Sequence, residues 1–394
     1  MTKKLKNVPE LRFPEFNEDW NERTISDSIK ILKSGLSREL STTDIGLPVI
    51  RANNLQNYNL VLDDIKYWFK EDPKGAKTEN YYLEKNDILV NFINSEAKMG
   101  TSCIIKSDFK RDTIYTTNIL RYVTKETYDS YFHYIYTQTY NYKKWIKIIT
   151  KPAVNQASFT TVDFKKIPYY IPEFNEQKKI GDFFSKLDRQ IELEEKKLDL
   201  LEQQKKGYMQ KIFSQELRFK DENGNDYPEW EIKKLMQIAK VKTGSKNVQD
   251  NIQDGKYKFF DRSVEVKYLN TFDFDETAII YPGEGSKFLP RYFSGKYSLH
   301  QRAYSIYDIN INNNYLYYYL SLQNNHFLKY AVGSTVKSLR MSGFDKLKVM
   351  VPKNSEQEKI GSFFKNLDEF IEKQANKVEL LKKRKQSFLQ KMFV

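Results

Sequence analysis

The chain has 394 residues and carries 65 Lys and Arg against 52 Asp and Glu, a net charge of +13. That length exceeds what one hydrophobic core usually serves, so two domains with connecting helices are expected. One cysteine, Cys103, excludes an intrachain disulfide, and His133, His300 and His326 are too few to complete a zinc site without carboxylates.

The N-terminal MTKKLKNVPELRFPEF has no apolar signal region, and nothing later approaches the roughly 18 continuous apolar residues of a membrane span. A reduced, cytoplasmic, metal-free protein is expected. The basic balance favours a polyanionic partner, with nucleic acid ahead of a membrane surface.

In chain order, LRFPEFNEDW (11–20) leads into short strand-like runs: LPVIRANNL from 47, NDILVNFI from 86, TSCIIKS from 101 and TIYTTNILRYV from 113. A helical stretch follows from 128, YDSYFHYIYTQTYNYKKWIKII. NQASFTTVDFKKIPYYIP (155–172) then carries a last strand into a proline. A long helix begins there and runs to Phe213.

The same order returns in the second half. LRFKDENGNDYPEW (217–230) repeats the LRF and the tryptophan. Strand-like runs follow from 257, 277 and 296, a helical run from 314, a last strand ending at Pro352, and a second long helix. Strands followed by helices without regular alternation argue for an α+β fold with mixed or antiparallel sheets. The predicted boundaries are 1–172 for a first globular domain, 173–215 for its helix, 216–352 for a second domain and 353–394 for the last helix.

The two helices are copies at an offset of 180 residues. Between Gln177 and Phe213, 17 of 37 positions are identical to their counterparts, where unrelated chains would share about two or three. Ile180, Phe184, Leu187, Ile191, Leu198, Leu201, Tyr208 and Ile212 form a heptad stripe, matched by Ile360, Phe364, Leu367, Ile371, Val378, Leu381, Phe388 and Met392. Such a repeat is a coiled-coil seam, able to zip to its twin or to another chain. The seam is broken by Glu194 and Lys205, and again by Gln374 and Lys385. With the copies antiparallel and fully overlapped, Lys205 falls beside Leu367 and Asp368, and Lys385 beside Leu187 and Asp188. A parallel pairing offers neither acid. The expectation is an antiparallel coiled coil with approximate two-fold symmetry.

Catalytic patterns are missing. None of the 11 prolines adjoins another, which excludes the Asp/Asn-Pro-Pro-aromatic signature of adenine methyltransferases, and no phosphate-cradling loop is present. Gly283, Gly285 and Lys287 read as a tight turn. Asp261, Glu265 and Lys267 offer a nuclease-like triplet, but such triplets arise readily in a chain with 30% charged residues. His133 and His326 sit in aromatic helical runs and read as packing residues. No catalytic residue and no metal ligand is assigned.

Direct readout of DNA needs Arg, Lys, Asn or Gln on a rigid edge, while Lys, Ser and Thr also hold phosphates. In the first half the candidates are Arg51, Asn53, Asn54, Lys98, Thr117, Asn118, Lys151, Asn155, Gln156 and Ser158. In the second half they are Lys246, Arg262, Lys287, Arg291, His300, Gln301, Arg302, Lys337, Ser338 and Arg340. Under the 180-residue offset the loops at 156–158 and 337–340 correspond. For each residue the alternative is a solvated surface group.

A globular region, a proline, an EQxxI start and a long helix, all occurring twice, resemble the specificity subunit of type I restriction-modification enzymes. The resemblance is carried by Glu176, Gln177, Ile180, Phe184, Leu187 and Asp188, by Glu356, Gln357, Ile360, Phe364, Leu367 and Asp368, and by the turns at Lys33–Gly35 and Lys242–Gly244. It implies two target-recognition domains, each of α/β type, reading the halves of a split site in double-stranded DNA. It also implies helices that pair and dock methylation subunits, two of them, with two restriction subunits joining. S-adenosylmethionine, ATP and magnesium would belong to those partners, and this chain would need no cofactor. A 37-residue helix is roughly 56 Å long at about 1.5 Å per residue, long enough to set a spacer of about one DNA turn. A coiled-coil scaffold binding only proteins is the alternative, and a nuclease with fused specificity domains a third.

Overall fold

The computed structural model describes residues 7–154, 156–263 and 265–394, and the statements below concern those residues. They fall into two compact units: the chain up to Glu195 together with Lys377–Val394, and Lys196–Asn376. Each unit therefore takes in part of both long helices, Phe174–Phe213 and Asn354–Lys391.

In the first unit, Asn21–Thr24 pairs antiparallel with the last strand, Pro168–Ile171. A four-stranded antiparallel sheet follows in the order Ile29–Ser34, Ile119–Thr124, Ile88–Asn91, Ser102–Ile104. A second sheet places Leu47–Ile50 between Lys66–Trp68 and Ile114–Tyr115, the latter parallel to it. The aromatic run from 128 is two helices, Ser130–Tyr136 and Tyr140–Ile149, rather than one. The break has a local cause: the Thr139 hydroxyl accepts the Tyr142 amide and caps a new helix.

The second unit repeats the edges and changes the middle. Glu231–Lys234 pairs antiparallel with Lys348–Val351. One six-stranded sheet runs Lys240–Thr243, Tyr304–Tyr307, Phe274–Tyr281, Arg291–Leu299, Tyr257–Phe260, Lys267–Leu269, and within it Tyr257–Phe260 lies parallel to Arg291–Leu299. Helices Asn313–Ser321 and Asn324–Tyr330 cover it.

The EQ motif joins lead-in segment, globular part and helix. Arg12 donates Nε and Nη2 to the buried Glu176 carboxylate, both at 2.7 Å, and Arg218 does the same to Glu356 at 3.1 and 2.8 Å. Gln177 Nε2 donates to Pro172 O at 2.8 Å while its Oε1 accepts from Asp129 N; Gln357 repeats this with Pro352 and Asn312. Asp129 and Asn312 are the N-caps of the helices that follow them. Gly181 and Gly361 press against those caps, because a Cβ at either would overlap the cap's Oδ1.

The seam residues are buried or half-buried in their own units. Leu187, Ile191 and Leu381 form one cluster in the first unit, and Ile180 and Phe184 pack with Met392 and Phe393. Ile212 joins Ile360 and Phe364 in the second. Leu198, Leu201, Leu367 and Ile371 are half-buried and Val378 is buried. Tyr208 departs from the expected stripe: it is exposed, and Met209 takes the inward position. A straight helix drifts by about 20° per heptad from a 3.5-residue repeat. Four heptads therefore shift the inward face by almost one residue.

Candidate nucleic-acid interface

Four loops meet at one edge of each unit, held by the same backbone hydrogen bonds. In the first unit Thr116 N donates to Ile50 O (2.9 Å), Thr117 N to Leu36 O (3.1 Å) and Ile119 N to Thr116 O (3.1 Å). In the second His300 N donates to Phe260 O (2.9 Å), Gln301 N to Lys246 O (3.0 Å) and Ala303 N to His300 O (2.9 Å). Thr116–Asn118 and His300–Arg302 are therefore the same turn. The loops after Ile50 and Phe260 correspond in the same way.

The remaining two loops are joined by short antiparallel ladders. Ala157–Ser158 pairs with Ile93–Asn94, and Lys337–Ser338 pairs with Glu284–Gly285. Phe159 N then donates to Phe92 O, and Leu339 N to Gly283 O. The loops at 156–158 and 337–340, matched by offset in the sequence, are matched in space as well.

In the first unit these loops form an open concavity of about 350 Å³ whose lining includes Arg38, Arg51, Asn53, Asn94, Asn118 and Gln156. Arg51 is occupied: its Nη2 donates to Asp64 Oδ2 at 2.7 Å and to Asp64 O. Arg38 is likewise bound to Asp72 through two nitrogens. Asn53 and Gln156 are exposed and Asn118 is half-buried. Lys98 is exposed on a 3₁₀ turn beside the ladder, and Lys151 bridges to Ser158. Asn155 lies outside the described residues.

Asn54 corrects the sequence reading. It is buried, its Oδ1 accepts Arg51 N at 2.9 Å, and its Nδ2 donates to Val61 O and Asp63 O. Its amide closes the turn that presents Asn53, and with both Nδ2 hydrogens committed and the side chain buried it has no donor left to pair with an adenine edge.

In the second unit the buried Glu284 carboxylate accepts Arg262 Nη1 at 2.8 Å and Arg302 Nη1 on its other oxygen. The arginine side chains are 59% and 65% exposed, and Glu284's is 7% exposed. The bonds from Arg262 and Arg302 hold the Glu284 carboxyl below the usual carboxylate range. Lys287 and Arg340 are exposed, Lys337 and Ser338 half-buried. Gln301 Nε2 donates to Asn247 Oδ1 at 2.7 Å.

Three second-half candidates have structural duties. His300 is buried, its Nδ1 accepting Arg302 N at 3.1 Å, and burial pushes its imidazole pKa down. Arg291 turns inward, donating to Ser263 O, and desolvation lowers its pKa. Lys246 pairs with Asp273 at 3.3 Å. The nuclease-like triplet is also structural: Asp261 is buried and bonded to Lys267 and to Ser263, while Glu265 is exposed.

The duplicated frame with this paired loop cluster can be compared with known proteins. The family model of the type I restriction modification DNA specificity domain matches residues 17–203 and 227–382. The chain belongs to the type I restriction-modification DNA specificity family. A Methanocaldococcus jannaschii protein named as the specificity subunit of type I restriction enzyme MjaX is 29% identical over 240 residues, 59% of this chain and 55% of that protein. The type I restriction enzyme EcoDI specificity subunit of Escherichia coli is 30% identical over 129 residues, 33% of this chain and 29% of its own length. The matches thus span about half, or less, of those relatives. The crystal structure of a type I restriction-modification S subunit from M. genitalium shares the fold, with a TM-score of 0.66 at 16% identity over 98% of this chain and 99% of that one.

Within this specificity-family chain, sequence reasoning missed Asn94, Arg38 and Glu284 at the cluster. Asn94 directly follows the strand-like run from 86 and Glu284 lies in the run from 277, and both become loop-cluster residues only through their ladders to 157–158 and 337–338. Among the described residues no helix is long and apolar enough to cross a membrane, and no group of three or more His, Cys, Asp or Glu is placed to hold a metal.

Proposed function

We propose that the chain is the DNA-sequence specificity subunit of a type I restriction-modification complex, without catalysis of its own. Each unit reads one half of a bipartite site in double-stranded DNA. The observation that carries this reading is the loop cluster: one backbone arrangement, built twice, filled with different polar and basic side chains. Rigid loops presenting Asn, Gln and Arg suit base edges, and the exposed lysines beside them suit phosphates.

The reading extends to the helices, which pair antiparallel as a coiled coil, dock methylation subunits and set the spacer, with restriction subunits joining. Support comes from Lys205 meeting Asp368 at 2.5 Å in one unit and Lys385 meeting Asp188 at 2.7 Å in the other. Methyl-donor, ATP and magnesium chemistry then belongs to the partner subunits.

The test is footprinting by the chain assembled with its methylation subunit. Two protected patches separated by a fixed spacer are expected, with affinity falling steeply as salt rises because phosphate contacts release counterions. Equal affinity for all sequences rejects the specificity reading. Salt-independent or absent DNA binding favours the protein scaffold instead.

A further inference from the structure

The two clusters present the same backbone seats with opposite chemistry. In the first, Asn53, Asn118 and Gln156 offer amides, while the two nearby arginines, Arg38 and Arg51, are bound by Asp72 and Asp64 and are only 16% and 23% exposed. Asn94 adds an Nδ2 donor that is buried without a partner among the described residues. In the second, the matching turn and strand-end loop carry Arg302 and Arg262, both fixed by one buried carboxylate on the ladder strand.

An amide offers one donor and one acceptor, the complement of adenine N7 and N6; a guanidinium offers paired donors, the complement of guanine N7 and O6. We infer that the first unit specifies its half-site at adenine, while the second specifies guanine through Arg262 and Arg302, with Glu284 as their positioning residue. This deepens the specificity reading and rests on it.

Glu284 is what turns two arginines into a reader. Each guanidinium commits Nη1 to the carboxylate and carries further N–H donors on Nε and Nη2. Two unpaired cations would repel and wander. Pinned from below, their orientation is set before DNA arrives, so less ordering is lost on binding.

The experiment is methylome sequencing of cells carrying the chain with its methylation subunit, as wild type and as Arg302→Gln, Arg262→Gln and Asn118→Ala. Expected is a bipartite motif in which the arginine variants relax a G·C position of one half-site about ten-fold or more and leave the other half unchanged. Asn118→Ala relaxes an A·T position of the other half. Glu284→Gln lowers discrimination at the guanine while raising affinity for random DNA, since it removes a negative charge; a merely structural role would not move the two in opposite directions.

The inference is overturned if the arginine variants weaken methylation equally at all sequences, as phosphate contacts would. It is overturned too if they leave the motif unchanged, or if Asn118→Ala relaxes a G·C pair. A wild-type methylome with no bipartite motif rejects the specificity reading itself, a distinguishable result.

Discussion

Lys205 and Asp368 meet across the two long helices at 2.5 Å, and Tyr318 donates its hydroxyl to the same carboxylate at 2.7 Å. Lys385, Asp188 and Tyr131 repeat the arrangement in the other unit, at 2.7 and 2.9 Å. Each seam lysine, an interruption when the helix is read alone, is answered by an acid from the other helix.

The two pairs are not equally enclosed. The Lys385 and Asp188 side chains are 14% and 10% exposed; those of Lys205 and Asp368 are 28% and 35% exposed. Lys385→Ala is therefore expected to cost about 2 kcal/mol and Lys205→Ala less than about 1 kcal/mol. Urea unfolding of both variants, with double-mutant cycles, checks this, and equal losses would contradict it.

Helix glycines separate packing from propensity. Ala at Gly181 or Gly361 would push its Cβ into the Asp129 or Asn312 cap, so each change is expected to cost about 1–3 kcal/mol. A Cβ added at Gly207 would meet nothing within 4 Å, and Gly207→Ala should stabilise by up to about 1 kcal/mol. In thermal melts Gly207→Ala should therefore move opposite to the other two variants.

The frame's ion pairs are buried at the acid. Glu356 is fully buried and takes Arg218 and the Trp230 indole N–H. Arg218→Ala leaves that carboxylate without its cation and is expected to cost about 3–5 kcal/mol. A Glu356→Gln, Arg218→Met double variant should recover part of the loss, because no uncompensated charge stays inside. Calorimetric unfolding decides it.

His133 gives the first unit an acid-sensitive core. It is buried, with Nδ1 toward Asp129 O and Nε2 toward Tyr169 Oη, and burial pushes its pKa down to about 4. The unfolded chain takes up the proton near 6.5, so between those values the unfolded state holds more protons and stability falls as pH falls. The loss by pH 4 is up to about 3 kcal/mol, and His133→Gln should flatten the dependence of unfolding free energy over roughly pH 4–6.5.

Much of the frame was legible because it is local or repeated. The 180-residue duplication and the repeated lead-in LRF and tryptophan follow from side-chain identity at fixed spacing, and the acids that Lys205 and Lys385 meet are Asp368 and Asp188, copies of one another under the same offset. The interior was less legible. Thr139 divides an aromatic run into two helices by a single hydroxyl cap. Tyr208 yields the seam to Met209 because helical drift accumulates over heptads.

Sequence alone determined that the loops at 156–158 and 337–340 correspond, because the 180-residue offset aligns them. Only the tertiary structure separated Asn53 from Asn54, adjacent and chemically identical, since one faces the concavity and the other uses its amide to close the turn. It also brought Glu284 beneath Arg262 and Arg302, residues 22 and 18 positions away. Ladders and parallel strand pairs create such meetings through long-range backbone hydrogen bonds, and these leave no periodic trace in the chain.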